Sequence, residues 1–162
     1  SGTALKVAPG NFQLGTEVFS GIPVIARAYL PGNQTVAANA TATVQMSSED
    51  IDTHSAYNVS TYTFTAPDAG YYIVNCGAAY IANASATGRM YLRLKRGANV
   101  IRGAVRDQWA GHYDSLVVSG WVQLSASDAI VMEVYNSDPT YSVTLQNGSS
   151  LTYMEVWRVQ LS

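Results

Sequence analysis

Hydrophobic and polar side chains alternate, residue by residue, along much of this chain. The clearest case is Arg89–Lys95, where Met90, Leu92 and Leu94 occupy one set of positions and charged residues or tyrosine occupy the other. Alternation with a period of two is typical of a β-strand that packs one face on a core. About ten such short segments, separated by turn residues at roughly 8–12-residue intervals, predict an all-β, antiparallel sandwich or jelly roll. No segment has the periodicity of an amphipathic helix.

The central stretch Asn58–Val74 contains two strand-like runs around a turn. The first run, up to Thr65, is rich in β-branched and aromatic residues, and the second begins with two tyrosines. Between them, Pro67 restricts one backbone dihedral and Gly70 accepts a positive φ. We predict a β-hairpin here.

The closing segment Leu151–Leu161 carries apolar side chains on both of its faces. One face can fill the interior of the sandwich, so the other requires a second covering partner. The alternative is a central strand that a loop of the same chain covers. At the other end, residues 1–20 are interpreted as an extended arm or linker, and residues 21–162 as the folded head domain.

Composition restricts the function classes. The 162 residues suit one domain, and 48% are hydrophobic while only 12% are charged. The polar surface therefore consists of Ser, Thr, Asn, Gln and Gly, which is common in extracellular or particle-borne β proteins. A net charge of −2 argues against nucleic acid as a partner, and no run is long enough for membrane insertion by a helix. The single cysteine, Cys76, lies in a predicted strand and is expected to be a buried thiol.

No catalytic signature is present, so we do not expect an enzyme. The carboxylates of Glu49, Asp50 and Asp52 are close in sequence, and oxygen ligands of this kind suit calcium. Their spacing lacks the glycine and the distal glutamate of an EF-hand, and a solvated acidic loop is the alternative interpretation. We expect no cofactor, with calcium as the one candidate ion.

The segment Arg106–Asp114 mixes aromatic and polar side chains in the manner of a sugar site. Aromatic rings stack on the apolar face of a sugar, while carboxylates and amides bind its hydroxyl groups. The predicted ligand-binding residues are Asp107, Gln108, Trp109, His112, Tyr113 and Asp114. The alternative is that the aromatic residues pack beneath the loop or in a subunit contact.

The motif Y-x-F-T-A-P-x-A-G-Y-Y, which includes Phe64, Pro67, Gly70, Tyr71 and Tyr72, resembles the signature of the complement component 1q head domain. That domain is a trimeric jelly roll akin to tumour necrosis factor.

Two flanking patterns resemble bacterial and phage members of the same superfamily. The upstream pattern consists of Arg27, Tyr29, residues 49–53 and Tyr57; the downstream pattern is residues 119–124 followed by Asp128. The resemblance extends from about Ile22 to Leu161.

The resemblance implies a homotrimer, with the second face of the last strand at a threefold axis. The trimer-interface residues predicted on this basis are Tyr71, Tyr153, Trp157 and Val159. It also implies a non-enzymatic head at the tip of a phage or bacterial fibre, on an extracellular, virion or appendage surface. Its partner would be a cell-surface glycan or protein receptor. Two alternatives stay open: a structural module that trimerises or caps a fibre, and a monomeric carbohydrate-binding module of an enzyme.

Overall fold

The computed structural model describes residues 11–14, 17–20 and 23–159, which form two packed antiparallel sheets and one separate hairpin. The strands are β1 (Asn11–Leu14), β2 (Glu17–Ser20), β3 (Ile25–Tyr29), β4 (Gln34–Val36), β5 (Ala40–Thr43), β6 (Ser48–Asp52), β7 (Tyr57–Asn58), β8 (Thr63–Thr65), β9 (Gly70–Ala82), β10 (Arg89–Arg96), β11 (Asn99–Asp107), β12 (Tyr113–Leu124), β13 (Ala129–Asn136), β14 (Val143–Leu145) and β15 (Thr152–Val159). The predicted all-β class is therefore confirmed. The described residues include no helix that is long and apolar enough to cross a membrane.

The first sheet is centred on β9, the longest strand. One edge of β9 pairs with β12, and its other edge pairs with β15, followed outward by β3 and β6. Beyond the end of β15, the same edge of β9 pairs with β14, and β14 in turn pairs with β4. In the second sheet, β13 lies between β10 and the short strands β8 and β5, with β11 outside β10 and β7 outside β8.

The separate hairpin β1–β2 falls in the predicted arm, with Asn11 opposite Ser20. The boundary between arm and head stays a prediction.

The core fills the space between the two sheets. Met90, Leu92 and Leu94 are each at most 1% exposed, so the alternation predicted for this strand is confirmed. Cys76 is likewise buried, on the inner face of β9.

The predicted hairpin at residues 58–74 is wrong, because β8 and β9 belong to different sheets. Phe64 pairs with Ile130 of β13, whereas Tyr72 pairs with Val122 of β12. The rings of Phe64 and Tyr72 meet edge to face across the core, with centroids 5.8 Å apart. The backbone groups next to the turn form hydrogen bonds with residues distant in sequence: the amide of Ala66 donates to the carbonyl of Asp128 at 2.9 Å. The Pro-Gly turn therefore carries the chain from one sheet to the other.

Three further segment predictions require correction. Residues 59–62 form a turn rather than a strand, and Tyr62 within it has φ 58°. The predicted acidic loop contains β6, which pairs with β3 across a bulge. The predicted aromatic loop is shorter, because β11 extends to Asp107 and β12 begins at Tyr113.

Candidate functional site

The outward side of the first sheet is an apolar face, which we define by Tyr71, Ile73, Val117, Trp121, Tyr153, Trp157 and Val159. In one cross-strand row, Trp121 lies opposite Ile73, and Ile73 lies opposite Trp157. The exposed fraction is 54% for Trp121 and 56% for Val117. Adjacent strands thus place large apolar side chains side by side, where aromatic and β-branched pairs stabilise a sheet.

The four predicted interface residues all lie on this apolar face, at its β9–β15 centre. Val159 is opposite Tyr71 in the register, and Tyr153 is opposite Gly77. A Cβ atom at Gly77 would lie 2.7 Å from Cε1 of Tyr153. The glycine therefore lets the Tyr153 ring lie flat against the sheet. The role of the four predicted residues in a trimer interface stays a prediction.

A polar row crosses the middle of the apolar face. Arg27 donates through Nε to Glu155 at 2.7 Å and also forms an ion pair with Asp50. The amide of Asn75 donates to the second oxygen of Glu155 at 3.1 Å. The Arg27 guanidinium also lies 5.6 Å from the centre of the Tyr153 ring, a cation–π geometry. Since these charges satisfy one another within the chain, the face can be covered without leaving a charge unpaired.

A second surface, the Trp109 groove, lies where β11 and β12 meet at one edge of the sandwich. It is lined by Arg106, Trp109, His112, Tyr113 and Asp114 and has a volume of about 320 Å³. Trp109 is 67% exposed, and its ring meets that of His112 edge to face at 6.3 Å. Arg106 forms an ion pair with Asp114 across the groove. The groove therefore offers flat apolar surfaces beside charged hydrogen-bonding groups.

Two of the six predicted ligand residues lie outside the Trp109 groove. Gln108 is only 6% exposed, and its side-chain amide donates to Oδ1 of Asn136 at 2.7 Å. Asp107 instead pairs with Arg89 at 2.8 Å, on the exposed surface. Gln108 therefore anchors the loop from below and cannot contact a ligand in the groove.

Asp138 supports the same end of the sandwich from a buried position. One carboxylate oxygen accepts the amides of Thr87 and Gly88 at 2.7 and 3.1 Å, and the other accepts those of Thr140 and Tyr141 at 2.9 and 2.7 Å. Burial acts to raise the pKa of Asp138, but these four donors favour the charged form and lower the pKa overall. This carboxylate joins two loops, and the turn signal of the Asp138-Pro139 pair is the feature of the sequence that points to it.

The candidate calcium ligands do not converge on one point. Asp50 pairs with Arg27, while Asp52 accepts the backbone amides of Ala56 and Tyr57 at 3.0 and 2.8 Å. Burial, followed by the charge of Asp52, raises the pKa of Glu49. Within residues 23–159, no group of three or more His, Cys, Asp or Glu side chains is arranged to hold a metal ion.

The chain has the jelly-roll fold of the tumour necrosis factor family. Eiger TNF from S. frugiperda is similar with a TM-score of 0.62 and 13% identity, over 86% of this chain and 94% of that one. Murine APRIL at pH 5.0 is similar with a TM-score of 0.63 and 11% identity, over 85% of this chain and 100% of that one. At these identities the similarity establishes the fold alone. No protein-family model matches the sequence, and no curated protein matches it.

Proposed function

We propose that this chain is a homotrimeric, non-enzymatic receptor-binding head, exposed at the tip of an extracellular phage or bacterial fibre, and that its ligand is a cell-surface glycan. The tumour necrosis factor-like fold supports a trimeric head. The fibre setting is supported by the upstream and downstream motifs that resemble bacterial and phage members of the superfamily. Catalysis forms no part of the proposal.

The single observation that carries the trimer is the apolar face. Trp121, Val117 and Tyr71 are each between 42% and 56% exposed on one sheet, and contiguous apolar patches larger than a few hundred Å² mark interaction surfaces. A tryptophan buries up to about 250 Å², so covering the exposed half of Trp121 stabilises an interface by about 3 kcal/mol. Two more copies of the chain provide such a cover if the three faces meet around one axis.

The mass in solution, measured by light scattering on a sizing column, tests the trimer. The wild type is expected at three times the 17.3 kDa of one chain. Trp157→Asp and Trp121→Asp each place an unpaired charge in the contact and are expected to elute as folded monomers. Val100→Asp is the matched control, because Val100 is 52% exposed on the other sheet and its replacement leaves the mass unchanged. A monomeric wild type would contradict the trimer and favour the carbohydrate-binding module.

The Trp109 groove supports the glycan. Trp109 and Tyr113 provide exposed rings for stacking, while Arg106 and Asp114 provide hydrogen-bonding groups beside them. Three equivalent grooves on one rigid head raise the apparent affinity for a receptor array by roughly 10²–10⁴-fold when their spacing fits. Weak individual sites are then sufficient for stable attachment to a cell surface.

A glycan array tests this part separately. Trp109→Ala is expected to lose retention of the glycans that bind through this groove, while mass and melting temperature stay unchanged, because the side chain is mostly exposed. Asp107→Ala is the control, since Asp107 lies beside the loop but outside the groove. A stable trimer that retains no glycan would favour the structural capping module instead.

A further inference from the structure

A second groove lies on the side of the sandwich away from β11 and β12. It is formed by the β3–β4 loop, the β5–β6 connection and the β7–β8 turn, and has a volume of about 260 Å³. We name it the Tyr62 groove; the residues that matter for its chemistry are Asn33, Gln34, Gln45, Ser47 and Tyr62. The described residues that line it provide amides, hydroxyl groups and one aromatic ring, and none of them is acidic or basic.

The aromatic residue of this groove has an unusual backbone. Tyr62 has φ 58°, a left-handed conformation that costs a bulky residue roughly 1–2 kcal/mol and costs glycine almost nothing. The turn imposes it, because Oδ1 of Asn58 accepts the amides of Ser60 and Thr61 at 2.9 and 3.1 Å. A tyrosine here is unfavourable for folding alone, and strain of this kind concentrates at functional sites.

Some polar side chains of the Tyr62 groove are held by hydrogen bonds within the chain, and others are free to bind a ligand. Gln34 is fixed, because its amide donates to the carbonyl of Thr43 and its oxygen accepts the amide of Gln45, both at 2.9 Å. Gln45 and Ser47 are exposed, and within residues 23–159 their side chains form no hydrogen bond. Asn33 uses Oδ1 to accept the amide of Asn147 at 2.9 Å, which leaves its NH₂ group available to a ligand.

We propose that the Tyr62 groove is a second ligand site, distinct from the Trp109 groove, and that it binds a neutral saccharide. The apolar face of one sugar ring stacks on Tyr62, while its hydroxyl groups form hydrogen bonds with Gln45, Ser47 and the free amide NH₂ group of Asn33. The described lining residues carry no charge, which disfavours acidic sugars, because these need a cation to compensate a buried carboxylate. The volume lies just below the ~300–1,000 Å³ of pockets for drug-sized ligands, which suits a single ring.

The decisive variant is Tyr62→Gly, because it separates binding from stability. Glycine adopts the positive φ without strain, so the melting temperature is expected to stay the same or rise. Loss of the ring is expected to weaken binding about tenfold or more. If Tyr62 served only to pack the turn, the same substitution would lower the melting temperature and leave binding unaffected.

The measurement is a titration of the full chain monitored by NMR. The neutral ligands are glucose, galactose, mannose and N-acetylglucosamine, and N-acetylneuraminate is the anionic comparison. Millimolar binding of a neutral sugar, weakened by Tyr62→Gly and Gln45→Ala but not by Trp109→Ala, supports the proposal. Binding lost only in Trp109→Ala places the ligand in the other groove and overturns this proposal without affecting the proposed function. No binding of any neutral sugar, or a preference for the anionic one, also overturns it.

Discussion

Replacing Asp138 by alanine is expected to destabilise the domain strongly. The residue is 1% exposed, and its carboxylate accepts four backbone amides from two separate loops. Each buried donor left without an acceptor costs about 1–3 kcal/mol. Thr87 and Thr140 are themselves exposed, so water can reach their amides after the substitution, and a net loss of about 3 kcal/mol is the reasonable expectation.

The assay is thermal unfolding at fixed protein concentration, since assembly would make the melting temperature depend on concentration. A loss of about 3 kcal/mol corresponds to a fall of roughly 6–12 °C for a domain of this size. Asp107→Ala is the matched control. Asp107 forms an ion pair with Arg89 on the exposed surface, and such pairs contribute at most about 1 kcal/mol.

The pH dependence gives a second, independent readout. The pKa of Asp138 is lower in the folded state, so its contribution is complete above the unfolded value of about 4 and is lost as pH falls through the folded pKa. The wild type should therefore lose stability in acid more steeply than Asp138→Asn, which cannot titrate. Equal melting temperatures for Asp138→Ala and Asp107→Ala, or parallel acid profiles for wild type and Asp138→Asn, would refute the reasoning.

Two further predictions concern close packing. Gly88→Ala is expected to lower the unfolding free energy by about 2 kcal/mol in chemical denaturation, because the new Cβ would lie 2.5 Å from Cα of Asp138. Unchanged stability would contradict close packing between Gly88 and Asp138. Burial, and then the charge of Glu155, raises the pKa of the Cys76 thiol to about 12, so a thiol reagent at pH 8 should label it only after unfolding. Rapid labelling of the native protein would contradict the buried position.

The alternation in Arg89–Lys95 could be predicted because it is a local property. Successive side chains of a strand point to opposite faces, so residue order alone identifies which ones are buried. Strand partners are different, since residues far apart in the sequence choose them. Thr65 pairs with Ala129, and no local signal distinguishes that arrangement from a hairpin with Tyr71.

In the candidate sites, too, the sequence identifies the types of residue, and the structure determines which of them can contact a ligand. The sequence identified the aromatic segment around Trp109, because residue types there indicate stacking and hydrogen bonding. It assigned Gln108 to the ligand, whereas the structure buries this side chain against Asn136. An amide has the same chemistry in both settings, and only its neighbours in three dimensions determine which role it has.

The sequence by itself determined the all-β class, the jelly-roll resemblance and the burial of Cys76, since these follow from the order of side-chain types along the chain. Only the tertiary structure decided that Phe64 and Tyr72 face each other across a core, and that Trp121 aligns with Trp157 in one row. It also placed Tyr62 beside amides from two other loops. These arrangements depend on register and on loop closure over long sequence separations, where many pairings satisfy the same local pattern and only packing of the whole domain selects one.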